Sequence, residues 1–218
     1  MQIVPRHEIP LLLRRAGLNS ETREFACETV CRLTVKECVP PVFTKGPHRK
    51  VTYPDGRVEG PFPVADRPAL SAFIAAALTE LDIADVLALV PEGAFWLNNK
   101  AQSQHLHDVK DAQAVAKFLR GRGLTDRFQG GFRIESPRFV SAIPRLAAQT
   151  YAGGADVLFV SLDRRRLLTA VACHHFDIHF STPDSAVIST LARLAASHDL
   201  LPDSLALPDL PDVPVMWT

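Results

Sequence analysis

Between Gly153-Gly154 and Ser197 the chain reads as three strands in succession and then a helix, and no other stretch limits the fold as much. Asp156 to Ser161 and Arg166 to Ala172 are apolar on both faces, as central strands are. His174 to Phe180 alternates instead. Phe176, Ile178 and Phe180 share one face of it, and His175, Asp177 and His179 share the other, which places this strand on or near a sheet edge. Thr182-Pro183-Asp184 opens the last helix, ending near Ser197.

Upstream, Asp108 to Arg120 carries Val109, Ala112, Val115, Ala116 and Leu119 at helical spacing, and Gly121-Arg122-Gly123 ends it. Gly131 to Glu135 reads as a strand. Ser136-Pro137 then starts a helix towards Tyr151, which Pro144 should kink or shorten. The order β-α-β-β-β-α predicts an α+β fold, a mainly antiparallel sheet with helices packed on one face.

The N-terminal half reads as helical and hairpin. Asn19-Ser20 before Glu21 and Glu24 is an N-cap with an acidic first turn, and Phe25, Cys27, Val30 and Cys31 make a helical stripe that Pro40-Pro41 stops. Val51-Thr52-Tyr53-Pro54-Asp55-Gly56-Arg57-Val58 reads as two short strands folding back, with proline setting φ in the turn and glycine supplying positive φ. Asp66 before Pro68 caps a helix to about Leu81 with almost no polar face, so it should be buried. Asp85 to Val90 fits either a strand or a helix, and Ala94 to Leu97 reads as a further strand beyond Pro91-Glu92-Gly93. The predicted regions are 1–104, 105–198 and a Pro/Asp-rich strap at 199–218, with one cooperative domain as the alternative.

Lys and Arg total 24 and Asp and Glu total 24. That balance argues against a partner held mainly through nucleic-acid phosphates, whose binding rewards a basic excess. It favours self-association or a protein partner, because little repulsion keeps chains apart. Leu11-Leu12-Leu13, followed by Arg14 and Arg15, is too short for a signal peptide, and no apolar run approaches the ~20 residues of a membrane span. A soluble, cytoplasmic chain with reduced thiols is expected, and its Ala, Leu and Arg usage suggests a bacterial one. Beyond His198 the chain holds four aspartates (Asp199, Asp203, Asp209, Asp212), recurrent prolines and no Lys or Arg, and it closes on Val213, Val215, Met216 and Trp217. A purely disordered tail rarely carries such an apolar end, so this one should dock on its own body or on a partner.

The clearest chemical cluster is His175, Asp177 and His179. Adjacent same-face residues on a strand lie about 6.7 Å apart, so one neighbouring pair can chelate an ion, but His175 and His179, about 13 Å apart, cannot share one. His105 and His107, if extended, would supply further ligands, and two histidines with a carboxylate would suit metal-assisted hydrolysis. The competing reading is a solvated polar face on a one-sided sheet. Cys27, Cys31 and Cys38 lack a second matching pair and read as buried thiols. Arg164-Arg165-Arg166, at a turn after Asp163, could meet an anion or nucleic acid, since arginine binds phosphate and carboxylate in bidentate fashion. No phosphate-binding loop, dinucleotide fingerprint, metalloprotease helix or nucleophile elbow is present.

The leading expectation is a non-catalytic interaction or regulatory protein (an inhibitor, an immunity-type protein or an adaptor) with no cofactor, contacting another protein through Arg164, Arg165, Arg166, Met216 and Trp217. The alternative is a metal-dependent hydrolase holding a divalent ion at His105, His107, His175, Asp177 and His179. A nucleic-acid binder comes third, and a homo-oligomer fits the charge balance. Whether the chain is an enzyme stays open at this level, because most sites are assembled in space.

Overall fold

The computed structural model describes residues 1–18, 29–35, 49–52, 58–62, 67–90, 94–97, 109–151, 155–173, 177–182, 184–198 and 200–202. Its strands are β1 (Gln2–Val4), β2 (Thr29–Val35), β3 (Arg49–Thr52), β4 (Val58–Phe62), β5 (Asp85–Leu89), β6 (Gly131–Glu135), β7 (Val157–Ser161), β8 (Thr169–Cys173), β9 (Asp177–Thr182) and β10 (Leu200–Pro202). Its helices are α1 (Ile9–Arg15), α2 (Arg67–Glu80), α3 (Val109–Arg120), α4 (Phe139–Tyr151) and α5 (Ser185–Ser197).

Eight strands form one sheet in the order β1-β6-β5-β7-β8-β9-β2-β10, and every neighbouring pair is antiparallel. The α+β class is therefore as the periodicity implied. β3 and β4 pair separately as the expected hairpin. The large sheet draws β1, β2 and β5 from residues 1–104 and β6 to β9 from residues 105–198.

Strand alternation sorts the core into two layers. Val86, Ala88, Phe132, Ile134, Val157, Phe159, Ala170, Ala172, Ile178 and Phe180 face the long helices in one continuous buried cluster. α2 lies centrally there, packed against α4 and α5, with α3 beyond α4. Leu70, Phe73, Ile74, Ala77 and Leu78 are all buried, as expected for a helix lacking a polar face. On the opposite face α1 covers only part of the sheet. Ile9, Leu13, Ala16 and Leu18 pack there on Leu87, Leu89, Leu158 and Val160. One helix thus lies outside the layer that holds the others.

Helix ends follow local chemistry. Asp184 caps α5 by accepting from the Ala186 backbone N–H at 2.8 Å. Asp184→Ala should cost about 1 kcal/mol in denaturant melts, the usual worth of such a cap, and an unchanged midpoint would show that the cap contributes nothing. α1 ends with Gly17 at φ +88°. Leu18 N–H bonds Leu13 C=O and Gly17 N–H bonds Arg14 C=O, the paired bonds of a Schellman motif. α2 ends in the same way, with Ile83 bonding Leu78 and Asp82 bonding Thr79. There Asp82, not glycine, takes the left-handed position at φ +52°, a conformation aspartate tolerates better than most residues.

Four expectations are corrected. Val30 and Cys31 belong to strand β2, not to a helix, and β2 pairs with β9 on one side and β10 on the other. Thr29, Val30, Thr34 and Val35 are β-branched, which suits a pleated interior strand. That pairing also moves β9 off the edge into the sheet interior, between β8 and β2. Ala94 to Leu97 is not a strand; the chain turns at Trp96 and Leu97. Finally, α4 is not shortened at Pro144 but runs on to Tyr151. The carbonyl that loses its donor belongs to Val140, which is 78% exposed, so water can replace the bond.

Candidate functional site

Among the sequence-selected residues, the arginines of the β7–β8 turn occupy the most informative position. The turn is tight: Asp163 Oδ1 accepts from Arg165 N–H at 2.9 Å, and Arg166 N–H bonds Asp163 C=O at 3.1 Å. Its three arginines do different work. Arg164 Nε donates to the Arg15 carbonyl, at the C-terminus of α1. Arg166 donates to the Leu81 carbonyl, just past α2, and its guanidinium lies 3.4 Å from Asp82. α1 and α2 lie on opposite faces of the sheet, so the two arginines reach around its rim to either side. Each meets the last carbonyls of a helix, where the macrodipole is negative and a cation is favoured.

Arg165, between them, is exposed, and its side chain makes no hydrogen bond or ion pair among the described residues. Arg164 brings the basic last turn of α1 to the same rim, where Arg14 and Arg15 are also exposed. Five arginines, from two segments about 150 residues apart, therefore gather at one end of the sheet, with Asp82 and Asp163 beside Arg166 and Arg165. Sequence reasoning found the turn and missed Arg14 and Arg15. The available signal was Gly17, which marks a helix C-terminus two residues after a basic pair.

The histidine cluster is not assembled among the described residues. His105, His107 and His175 lie outside them, as do Met216 and Trp217. Of the remaining pair, Asp177 stands opposite Cys173 on β8 and Thr34 on β2. His179 is half-buried, opposite Val171 and Arg32. The cross-strand neighbours of His179 are thus a valine and an arginine, neither of which can ligate a metal ion. Among the described residues no three His, Cys, Asp or Glu side chains gather as a metal site requires. Cys31 and Cys173 stand on different strands, opposite Phe180 and Asp177.

Two other polar groups stand out. Arg133 Nε donates to Asp85 Oδ2 at 2.6 Å across β5 and β6, and this hydrogen bond raises the arginine's pKa further. Among the described residues Gln149, fully buried in α4, finds no partner for either amide atom, and neither does the Ser71 hydroxyl in α2. No helix among the described residues is long and apolar enough to cross a membrane. Comparison with protein-family models, with curated proteins and with solved structures finds no match to this chain.

Proposed function

We propose that this chain is a non-catalytic interaction protein, an inhibitor, immunity-type or adaptor protein, and that it contacts an acidic protein partner through the arginine rim. One observation carries the reading: Arg164 and Arg166 donate to carbonyls at helix ends, while the side chains of Arg15 and Arg165 beside them are exposed and make no hydrogen bond or ion pair among the described residues. Guanidinium groups match carboxylates in a planar, bidentate geometry that lysine lacks, and the rim's five basic residues are all arginine. The turn is anchored to helices on both sides of the sheet, so the charges are presented from a firm base and lose less entropy on binding.

An acidic protein surface fits better than nucleic acid. Net charge is zero, Asp82 and Asp163 stand among the arginines, and neither of the two segments that carry them, Leu11–Leu18 and Leu162–Leu168, contains an aromatic residue as a stacking platform would need.

The test uses a fluorescein-labelled, glutamate-rich peptide and a single-stranded DNA oligonucleotide of equal charge, with binding followed by anisotropy. The pair Arg15→Glu and Arg165→Glu spares both helix contacts and should weaken peptide binding about tenfold at low salt. Unaltered peptide affinity in that variant sinks the reading. Tighter binding to the oligonucleotide than to the peptide would replace the protein partner with nucleic acid.

A further inference from the structure

A second group of arginines, none of them part of the rim, gathers on the flank of the helix layer where α3 lies against α4. Arg122 follows α3 in a turn held by two backbone bonds, Arg122 N–H to Leu119 C=O and Gly123 N–H to Arg120 C=O, each 2.9 Å, with Gly123 at φ +77°. Arg138 closes the turn Ser136–Arg138 that opens α4, and Arg145 follows within the helix. Arg138, Ser141 and Arg145 are all exposed, and their spacing of three and then four residues puts them in one stripe on the helix surface. Phe118 of α3 is half-buried and joins this stripe to the α3 turn. The centre of its ring lies 5.3 Å from Arg145 Cζ and 5.5 Å from Arg122 Cζ, within the range where a ring face attracts a guanidinium.

Arg138 joins the other two beside Met1. Burial, then the charges of Arg138 and Arg122, hold the Met1 amino group below its ordinary pKa, and Glu135 offsets this only in part. Arg122 and Arg138 therefore approach one point, where the end of α3 meets the start of α4. Fold stability does not account for the grouping. The side chains of Arg122, Arg138 and Arg145 make no hydrogen bond or ion pair among the described residues. Asp126, the acidic residue closest in sequence to Arg122, is already held by Arg120 at 3.1 Å. Arg122, just past a helix C-terminus, is favoured by the dipole, but Arg138 stands at a helix start, where a cation is opposed.

We infer that Arg122, Arg138 and Arg145 form a binding site for a phosphate dianion, carried by a phosphorylated side chain or by a small phosphomonoester. Three guanidinium groups less the Glu135 carboxylate leave two positive charges to be matched. A phosphomonoester carries about two negative charges near pH 7 and three strong acceptor oxygens, whereas a carboxylate carries one charge. Guanidinium meets phosphate oxygens in bidentate geometry. The Phe118 ring holds two of the three guanidiniums, so it orders them before a ligand arrives. The same ring is already taken as a stacking surface, which leaves the phosphate and not a nucleobase as the recognised group. This site does not depend on the rim or on its acidic partner.

Anisotropy of a fluorescein-labelled phosphoserine peptide and of its unphosphorylated form, with no acidic side chain in either, tests the site on the full chain. At low ionic strength the phosphopeptide should bind about tenfold more tightly than its counterpart. Arg138→Gln with Arg145→Gln should erase that preference and leave the melting midpoint nearly unchanged, because both side chains are exposed. Arg138→Gln alone leaves both Phe118 contacts in place and should still reduce the preference about threefold, so a folding defect in the double variant does not hide the result. Arg15→Glu with Arg165→Glu, on the rim, should keep the preference in full. Equal affinity for the two peptides overturns the site. So does a preference that survives both glutamine variants, or one that the rim variant abolishes. Phenyl phosphate then identifies the source. Displacement of the phosphopeptide at comparable concentration assigns a small phosphomonoester, and displacement only in large excess assigns a phosphorylated side chain in its peptide.

Discussion

Trp96→Ala is expected to lower stability by about 3 to 5 kcal/mol in denaturant melts, which would put the variant close to unfolded. Trp96 is fully buried, and its ring meets Phe132 edge-on at 4.8 Å between centroids. Its indole Nε1–H donates to the Gly130 carbonyl at 2.8 Å, and its backbone N–H bonds Phe128 C=O at 3.3 Å. Truncation therefore opens a cavity and also strips a buried carbonyl of its donor. Trp96→Phe separates the two effects, because it keeps most of the volume and loses the donor. It should cost about 1 to 3 kcal/mol, the penalty for an unsatisfied buried acceptor. The site has no room for compensation at Gly130, where an added Cβ would collide with the Val4 carbonyl and the Phe128 ring. A loss below about 1 kcal/mol for Trp96→Ala would mean that the segment through Trp96 is not a wall of the core.

Phe180→Ala should cost a similar amount, about 3 to 5 kcal/mol, whereas Ser181→Ala, one position along β9, should stay within about 0.5. Phe180 is fully buried and stands between Ala170 of β8 and Cys31 of β2. Its ring meets Phe73 of α2 at 5.9 Å and 88°, joining the sheet to the central helix by an edge-to-face contact. Such a contact adds about 0.5 to 1.5 kcal/mol to the area buried. Ser181 points to the opposite face and is half-buried. The reverse ranking in urea or guanidinium would place β9 one residue out of register, because a single-residue slip exchanges its two faces.

The arginine rim shows how one sequence motif divides into separate roles. Arg164→Ala or Arg166→Ala removes a donor from a helix C-terminus and should appear mainly as a small loss of stability. Arg165→Ala should leave stability unchanged within about 0.5 kcal/mol. In sequence the three are indistinguishable neighbours. They separate because the turn sits on the rim, where successive side chains reach α1 on one face, solvent, and α2 on the other.

Local patterns determined much of this protein. Period-two alternation in β9 correctly sorted Ile178 and Phe180 from His179, and the continuous apolar run of β7 marked a strand buried on both faces. The Asp184 cap and the apolar surround of α2 were legible in the same way, because each depends on residues within one or two helical turns. What escaped was every feature set by partners distant in the chain. By local pattern alone β2 reads as helical, because Phe25, Cys27, Val30 and Cys31 match a helical stripe. Only pairing with β9, about 150 residues away, and with β10 makes residues 29–35 an interior strand. The same pairing took β9 off the sheet edge, which alternation alone had suggested. Arg14 and Arg15 joined Arg164, Arg165 and Arg166 only when α1 crossed to the second face of the sheet. Short-range patterning carries the choice of helix or strand and the face each residue takes. It does not carry strand order or the meeting of helix ends, because those follow from closing long loops around a shared core.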